Sequence, residues 1–224
     1  MKAKGKNKET IHHRDTETQR RNRKTAKRQN ESKVKRETAS KVEGVISAQM
    51  TTKAKEKPES AVHVDAMVAA DWANVSSIYL EGIASGNATL ETLEPTWEEW
   101  DRAHLPFGRV VARHGKAISG WAALSRVSHR TCYAGVAEMS VYVASWARGK
   151  RIGTALMKAS IAEAEKAGIW TLQGSVFAEN KASLKLCEAA GFRQVGVREK
   201  IGKVKGKWRD IILVERRSEV VGVE

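Results

Sequence analysis

Apolar residues along this chain fall into two regimes. In "KGKNKETIHHRDTETQRRNRKTAKRQNESKVKRET" they are isolated, with Ile11 and Val34 standing alone in a polar run. No helical or strand period builds a buried face there, so residues 1–60 are expected to be a disordered tail or a marginal solvated helix. From residue 61 the spacing changes. "AVHVDAMV" alternates as a strand does. Asp71 stands where a cap belongs for "WANVSSIYLEGIASG", in which Val75, Ile78, Tyr79 and Gly82 keep helical spacing until glycine ends it. "PTWEEWDRAH" predicts a shorter helix capped by Thr96, with Trp97 and Trp100 packed on one face. "GRVVARHGKAISGWAALSRVS" predicts a hairpin turning at His114-Gly115.

"YAGVAEMSVYVAS" reads as the next strand, with Cys132 beside Tyr133 as a small core residue. "GTALMKASIAEAEKAG" is the clearest helix: Leu156, Met157, Ile161 and Ala164 form its stripe, and Gly168 stands at the C-terminal cap. "IWTLQGSVFA" returns to strand, "NKASLKLCEAAG" is a short helix, and "FRQVGVRE" and "KWRDIILVER" are the closing strands. The chain is therefore α/β, with a mixed sheet flanked by helices. The strand–helix–strand unit at 136–176 requires two parallel neighbours joined by a right-handed crossover. Residues 61–218 form the expected domain, and 219–224 a short C-terminal tail.

Charge changes this picture only at the N-terminus. Of the net +14, residues 1–49 carry 15 Lys and Arg against 6 Asp and Glu, and residues 50–224 carry 25 against 20. Nucleic acid is thus a candidate partner only through the tail. Six acidic residues argue against a transit peptide. Translation beginning at Met50 is the plainer reading of that segment. His12-His13 lacks partner ligands at metal spacing. No apolar run approaches the roughly 18 residues of a membrane span. Two cysteines, Cys132 and Cys187, make no disulfide framework, and a cytoplasmic location is expected.

The chemistry begins at "RGKRIGTALM". Arg148, Lys150 and Arg151 crowd a strand-to-helix turn, where unpaired amides and the helix dipole already disfavour cations. A bound polyanion such as a pyrophosphate resolves that conflict, with Gly149 and Gly153 permitting close backbone approach. The alternative is a solvated basic turn. Glu138 lies in an apolar strand, so its carboxylate must be paired across the sheet, protonated or in use.

"VYVASWARGKRIGTALM" resembles motif A of the GNAT acetyltransferases, and "AENKASLKLCEAAGF" the family's second signature. "CYAGVAEMSVYV", "GWAALS", "NATLE" and "GKVKGKWRDIILVERR" are similar to the phosphinothricin N-acetyltransferase-like branch, which includes arsinothricin-resistance enzymes. The resemblance covers about residues 62–217. It implies a GNAT fold whose sheet splays at an acetyl-CoA site. Acetyl-CoA as co-substrate, no metal and a homodimer are implied as well. Its pantetheine arm would run along Val141, Tyr142 and Val143, and its diphosphate over Arg148, Gly149, Lys150, Arg151, Ile152, Gly153 and Thr154. Asn180 and Ser183 of the second signature are further contacts. The family's inner glycine is replaced here by Arg151.

By the same resemblance Glu138 is a general base. An amino acid arrives as an ammonium and must lose a proton before its nitrogen attacks a thioester, and a desolvated carboxylate of raised pKa draws that proton. Cys187 stands where the family often has Tyr or His, and either donates weakly to the leaving thiolate or packs against the thioester. Arg130 suits the substrate carboxylate as a bidentate fork. Thr89, Glu91, Lys203, Lys207 and Trp208 are other candidates for the acceptor side, a plain surface or core role being the alternative for each. Leu90 replaces the usual Phe. The expected activity is acetylation of the α-amine of a small amino acid or amino-acid antibiotic such as phosphinothricin or arsinothricin. The rivals are a peptide or ribosomal-protein N-acetyltransferase and a tail-anchored nucleic-acid or ribosome-associated binding protein.

Overall fold

The computed structural model describes residues 62–223 except Lys116. The expectations for the basic tail, His12-His13 and Met50 lie outside the described residues. The elements are β1 (His63–Ala66), α1 (Trp72–Ser85), α2 (Trp97–Ala103), β2 (Val110–His114), β3 (Ala117–Arg126) and β4 (Val136–Val143). They continue with α3 (Ile152–Lys166), β5 (Thr171–Phe177), α4 (Lys181–Ala189), β6 (Arg193–Val204) and β7 (Lys207–Arg217). The strands form one seven-stranded sheet in the order β1-β2-β3-β4-β5-β7-β6. Only β4 and β5 are parallel, and α3 supplies the crossover between them.

Local chemistry sets the ends of these elements. Thr96 and Glu99 cap α2 reciprocally: the Thr96 hydroxyl accepts from Glu99 N at 3.2 Å, and the Glu99 carboxylate accepts from Thr96 N at 2.9 Å. Gly86 ends α1 in the left-handed conformation at φ 62°.

Packing divides the helices between the two faces of the sheet. Trp121 and Tyr142 face each other across β3 and β4, stacked at 4.6 Å. Tyr79 of α1 and Trp100 of α2 meet Trp121 edge-on, at 6.0 and 5.8 Å. Trp97 stacks on Trp100, so that pair is core packing, as its spacing suggested. On the opposite face Leu124 and Met139 pack with Met157, Ile161 and Ala164 of α3, joined by Leu186 of α4.

Two local expectations are corrected. Asp71 does not cap α1 through its side chain. Its carboxylate accepts instead from Val68 N at 3.0 Å and from both terminal nitrogens of Arg113, at 3.0 and 2.9 Å. A bidentate guanidinium outcompetes a helix amide for the same oxygens. Cys132 is neither in a strand nor in the core: it is exposed in a single 3-10 turn, Thr131–Tyr133. The polar run before it turns the chain, with Arg130 N donating to Ser128 Oγ and Tyr133 N to Arg130 O. Strand β6 also continues past Glu199, through an irregularity between Arg198 and Gly202, to Val204.

Candidate active site

Parallel pairing between β4 and β5 is short: Val136 faces Thr171, Ala137 faces Leu172 and Glu138 faces Gln173. Beyond that pair β5 keeps only β7, with which it pairs from Thr171 to Phe177, while β4 keeps only β3 as far as Val143. The sheet therefore splits. A cavity of about 350 Å³ passes through the gap, bordered by Met139, Ser140, Val141 and Tyr142 on one side and Gly174, Ser175, Val176 and Phe177 on the other. A second cavity of about 410 Å³ extends from it over the start of α3. The two share Ala88, Val141, Tyr142, Asn180, Ser183 and Leu186, so they form one continuous groove.

The α3 end of the groove is built to meet an anion. Arg148, Gly149, Arg151, Ile152, Gly153 and Thr154 line it. Arg151 takes the left-handed conformation at φ 61°, ψ 14°, so the position where the family has glycine keeps a glycine-like backbone. It offers no side-chain cap, which leaves the first amides of α3 facing the groove without an intrahelical acceptor. Gly149 is also left-handed at φ 78°. A Cβ on Gly153 would come within 2.8 Å of Leu186 Cδ2, so a side chain there has to push Leu186 aside. Lys150 stands outside the lining, with its Nζ 6.0 Å above the Trp146 ring.

At the split, Glu138 is half-buried on the face that carries Ser140 and Tyr142. It lies one step outside the cavity lining, beside Ser140 along β4 and opposite Gln173 on β5, both of which line it. Among the described residues no cation lies within ion-pair distance of its carboxylate, so the cross-sheet salt bridge is not formed. Burial pushes the Tyr142 phenol far up, the neighbouring Tyr79 adding to this against a hydrogen bond to Thr89. Cys187 lines the cavity, and burial pushes its thiol up to about 11. It is therefore a neutral thiol near pH 7, a weak donor and a poor nucleophile.

The predicted acceptor residues divide. Thr89 and the neighbouring Leu90 line the cavity. Glu91, Arg130, Lys203, Lys207 and Trp208 line neither cavity. Arg130 lies over the Tyr133 ring at 5.6 Å, and Lys203 over Trp208 at 5.6 Å at the tip of the β6–β7 hairpin. Sequence reasoning missed Ser140, Gln173, Ser175 and Arg198, which line the cavity, because single polar or charged residues on a strand carry no motif.

It also missed a clamp. Asn180 caps α4 by accepting from Ser183 N at 3.1 Å, and its Nδ2 donates to Asn87 O at 2.9 Å. Arg209 donates to Asn87 Oδ1 at 2.9 Å and lies over the Phe177 ring at 4.5 Å. Together they hold the loop that brings Thr89 and Leu90 over the cavity.

Among the described residues no cluster of three or more His, Cys, Asp or Glu side chains is arranged to hold a metal, and no helix is long and apolar enough to cross a membrane.

A strand pair that splits beside a basic, amide-rich helix start, with one groove running through both, defines an acyl-CoA-dependent transferase. The chain belongs to the acetyltransferase (GNAT) family, whose model matches residues 72–192. Within that family it falls in the phosphinothricin N-acetyltransferase-like branch and is an acetyl-CoA-dependent acyltransferase. It is 32% identical over 155 residues to the phosphinothricin N-acetyltransferase of Alcaligenes faecalis, covering 65% of this chain and 77% of that one. It is 31% identical over 83 residues to an L-methionine sulfoximine/L-methionine sulfone acetyltransferase of Pseudomonas aeruginosa, covering 37% of this chain and 48% of that one. A phosphinothricin acetyltransferase from Sinorhizobium meliloti, solved with acetyl-CoA, superposes with a TM-score of 0.67 at 27% identity, covering 73% of this chain and 91% of that one.

Proposed function

We propose that this protein transfers the acetyl group of acetyl-CoA directly to the α-amine of a small amino acid or amino-acid antibiotic, phosphinothricin and arsinothricin among them, with Glu138 as general base. The observation that carries this is the position of Glu138: half-buried, without an ion-pair partner among the described residues, at the pair where the sheet opens. A water held by Ser140 or Gln173 would bridge the acceptor ammonium to the Glu138 carboxylate. The freed amine attacks the thioester carbon, and the CoA thiolate leaves. The Cys187 thiol is the donor nearest in kind to the leaving sulfur, though a weak one.

The diphosphate of acetyl-CoA fits the start of α3, where exposed amides and the Arg148 and Arg151 side chains converge on the groove. Arg130 is proposed as the fork for the acceptor carboxylate. The homodimer is proposed on family resemblance, and light scattering at assay concentration tests it.

The deciding experiment is thiol release from acetyl-CoA with a panel of free amino acids, L-phosphinothricin, L-methionine sulfoximine and short peptides as acceptors. Turnover of free amino acids at micromolar to millimolar KM supports the reading. Turnover of peptides alone assigns the protein to the peptide N-acetyltransferases instead.

A further inference from the structure

Among the charged residues described, Arg198 alone lines the cavity that crosses the split sheet. It sits on the strand next to the sheet's last turn, opposite Ile211 of β7, which also lines the cavity. The register of β6 breaks between Arg198 and Gly202. Asp210 holds that irregularity: its carboxylate accepts from Lys200 N at 2.8 Å, and Lys200 takes a left-handed φ of 49°. A bulge re-aims the side chains that flank it, and here both Arg198 and Ile201 turn to the cavity.

We infer that Arg198 is the specificity-determining cation of the acceptor cavity, and that it reads an acidic group at the far end of the acceptor side chain. This rests on the proposed amino-acid N-acetyltransferase reading. Distance selects the group. β4, which carries Glu138 and Ser140, is separated from β6 by β5 and β7. Three strand spacings make about 14 Å across the sheet, and Arg198 stands, through Ile211, level with Phe177, four residues along β5 from the Gln173 that faces Glu138, which adds about 13 Å along the strands. An α-carboxylate, one carbon away from the reacting amine, meets the guanidinium across that span only with the intervening side chains near full extension. An anion on the γ-carbon meets it with reach to spare. The guanidinium pairs with a phosphinate or carboxylate through two parallel N–H donors, which a neutral sulfone of similar size does not match in strength.

The test compares L-phosphinothricin, anionic at its side-chain end, with L-methionine sulfone, neutral there, in the parent protein, Arg198→Gln and Arg198→Lys. The parent is expected to favour L-phosphinothricin. Arg198→Gln should raise KM for L-phosphinothricin roughly 10- to 100-fold. KM for L-methionine sulfone and for acetyl-CoA should move less than about threefold, because no charged pair is lost there. Arg198→Lys should recover part of the preference, since the charge remains and the fork does not. Melting temperatures should stay level, the side chain being exposed at the cavity mouth. Equal losses with both acceptors, or none, overturn the inference while the amino-acid reading stands. A parent protein that acetylates neither compound nor any free amino acid overturns both.

Discussion

Glu138 and Gln173 are the last residues at which β4 and β5 face each other in register. One residue further along their own pairing stops, while each strand keeps the antiparallel partner it already has on its other side, β3 for β4 and β7 for β5. The backbone groups of Met139–Val141 and Gly174–Val176 on the facing edges are thereby left to the groove. Such edges are open templates for a polar chain laid between them, and the amide-bearing arm of a CoA thioester is of that kind.

Glu138→Gln tests what the carboxylate at this fork does. The amide keeps size and hydrogen bonding but removes the basic site. If Glu138 is the base, kcat falls by roughly a hundredfold to ten-thousandfold near pH 7, with melting temperature and acetyl-CoA affinity unchanged. Raising the pH recovers part of the rate, because more acceptor amine is already deprotonated. Parental turnover across the pH range removes Glu138 from the mechanism.

Arg151 and Gly153 separate backbone shape from charge at the start of α3. Left-handed backbone costs a non-glycine residue roughly 1–2 kcal/mol. Arg151→Gly should therefore raise the melting temperature slightly. It should also weaken acetyl-CoA binding about two- to fivefold, the range of one exposed charge. Gly153→Val should do worse on both counts, since its side chain displaces Leu186, which lines both cavities. Calorimetry and a thermal scan on the two variants decide it; tighter binding by Arg151→Gly would show that the cation has no role there.

Most of the fold was legible because its elements bury one face each. The α3 stripe, the Thr96 capping box and the parallel β4–α3–β5 unit follow from spacing alone. The turn at 148–153 also stood out, as a helix start that clustered cations contradict, and it lies on the groove. The acceptor side was less legible. Arg130, Lys203 and Trp208 were chosen by resemblance, yet they stand outside the cavity, while Ser140, Gln173 and Arg198 line it. Which strand residues reach a cavity depends on where a sheet splits and where a bulge shifts the alternation. Both are set by long-range pairing, not by local sequence. Asp71 illustrates the same limit: its partner Arg113 is 42 residues away.

Cys187 and Cys132 should differ sharply toward alkylation. Burial holds the Cys187 thiol up at about 11, so its thiolate is scarce below that pH. Cys132 is exposed on its turn. Iodoacetamide at pH 8, followed by peptide mass spectrometry, should mark Cys132 first, and acetyl-CoA should protect Cys187 further. Cys187→Ser, which keeps a small donor, should lower kcat only severalfold. A collapse of turnover with this variant would mean that the thiol does more than donate weakly or pack.

Asp71 ties the turn before α1 to β2 through Arg113, and its titration sets an acid limit on stability. Burial alone would raise its carboxyl, but the hydrogen bonds from Arg113 and Val68 N outweigh that and hold it below the ordinary 3.8. The folded state therefore binds this proton less readily than the unfolded chain does. Its contribution is complete above the unfolded value and is lost as pH falls through the lower folded one. Hydrogen bonds to a charged partner of this kind are worth about 2 kcal/mol. Asp71→Asn should then lower the melting temperature by roughly 5 °C at pH 7. That gap should hold down to pH about 5, begin to narrow near the ordinary value of 3.8 and close only as pH falls through the lower folded value, where the parent's own carboxylate takes up its proton. Thermal scans of both proteins from pH 7 to pH 3 measure it. A gap as wide at pH 3 as at pH 7 would mean that Asp71 acts through shape and not through its charge.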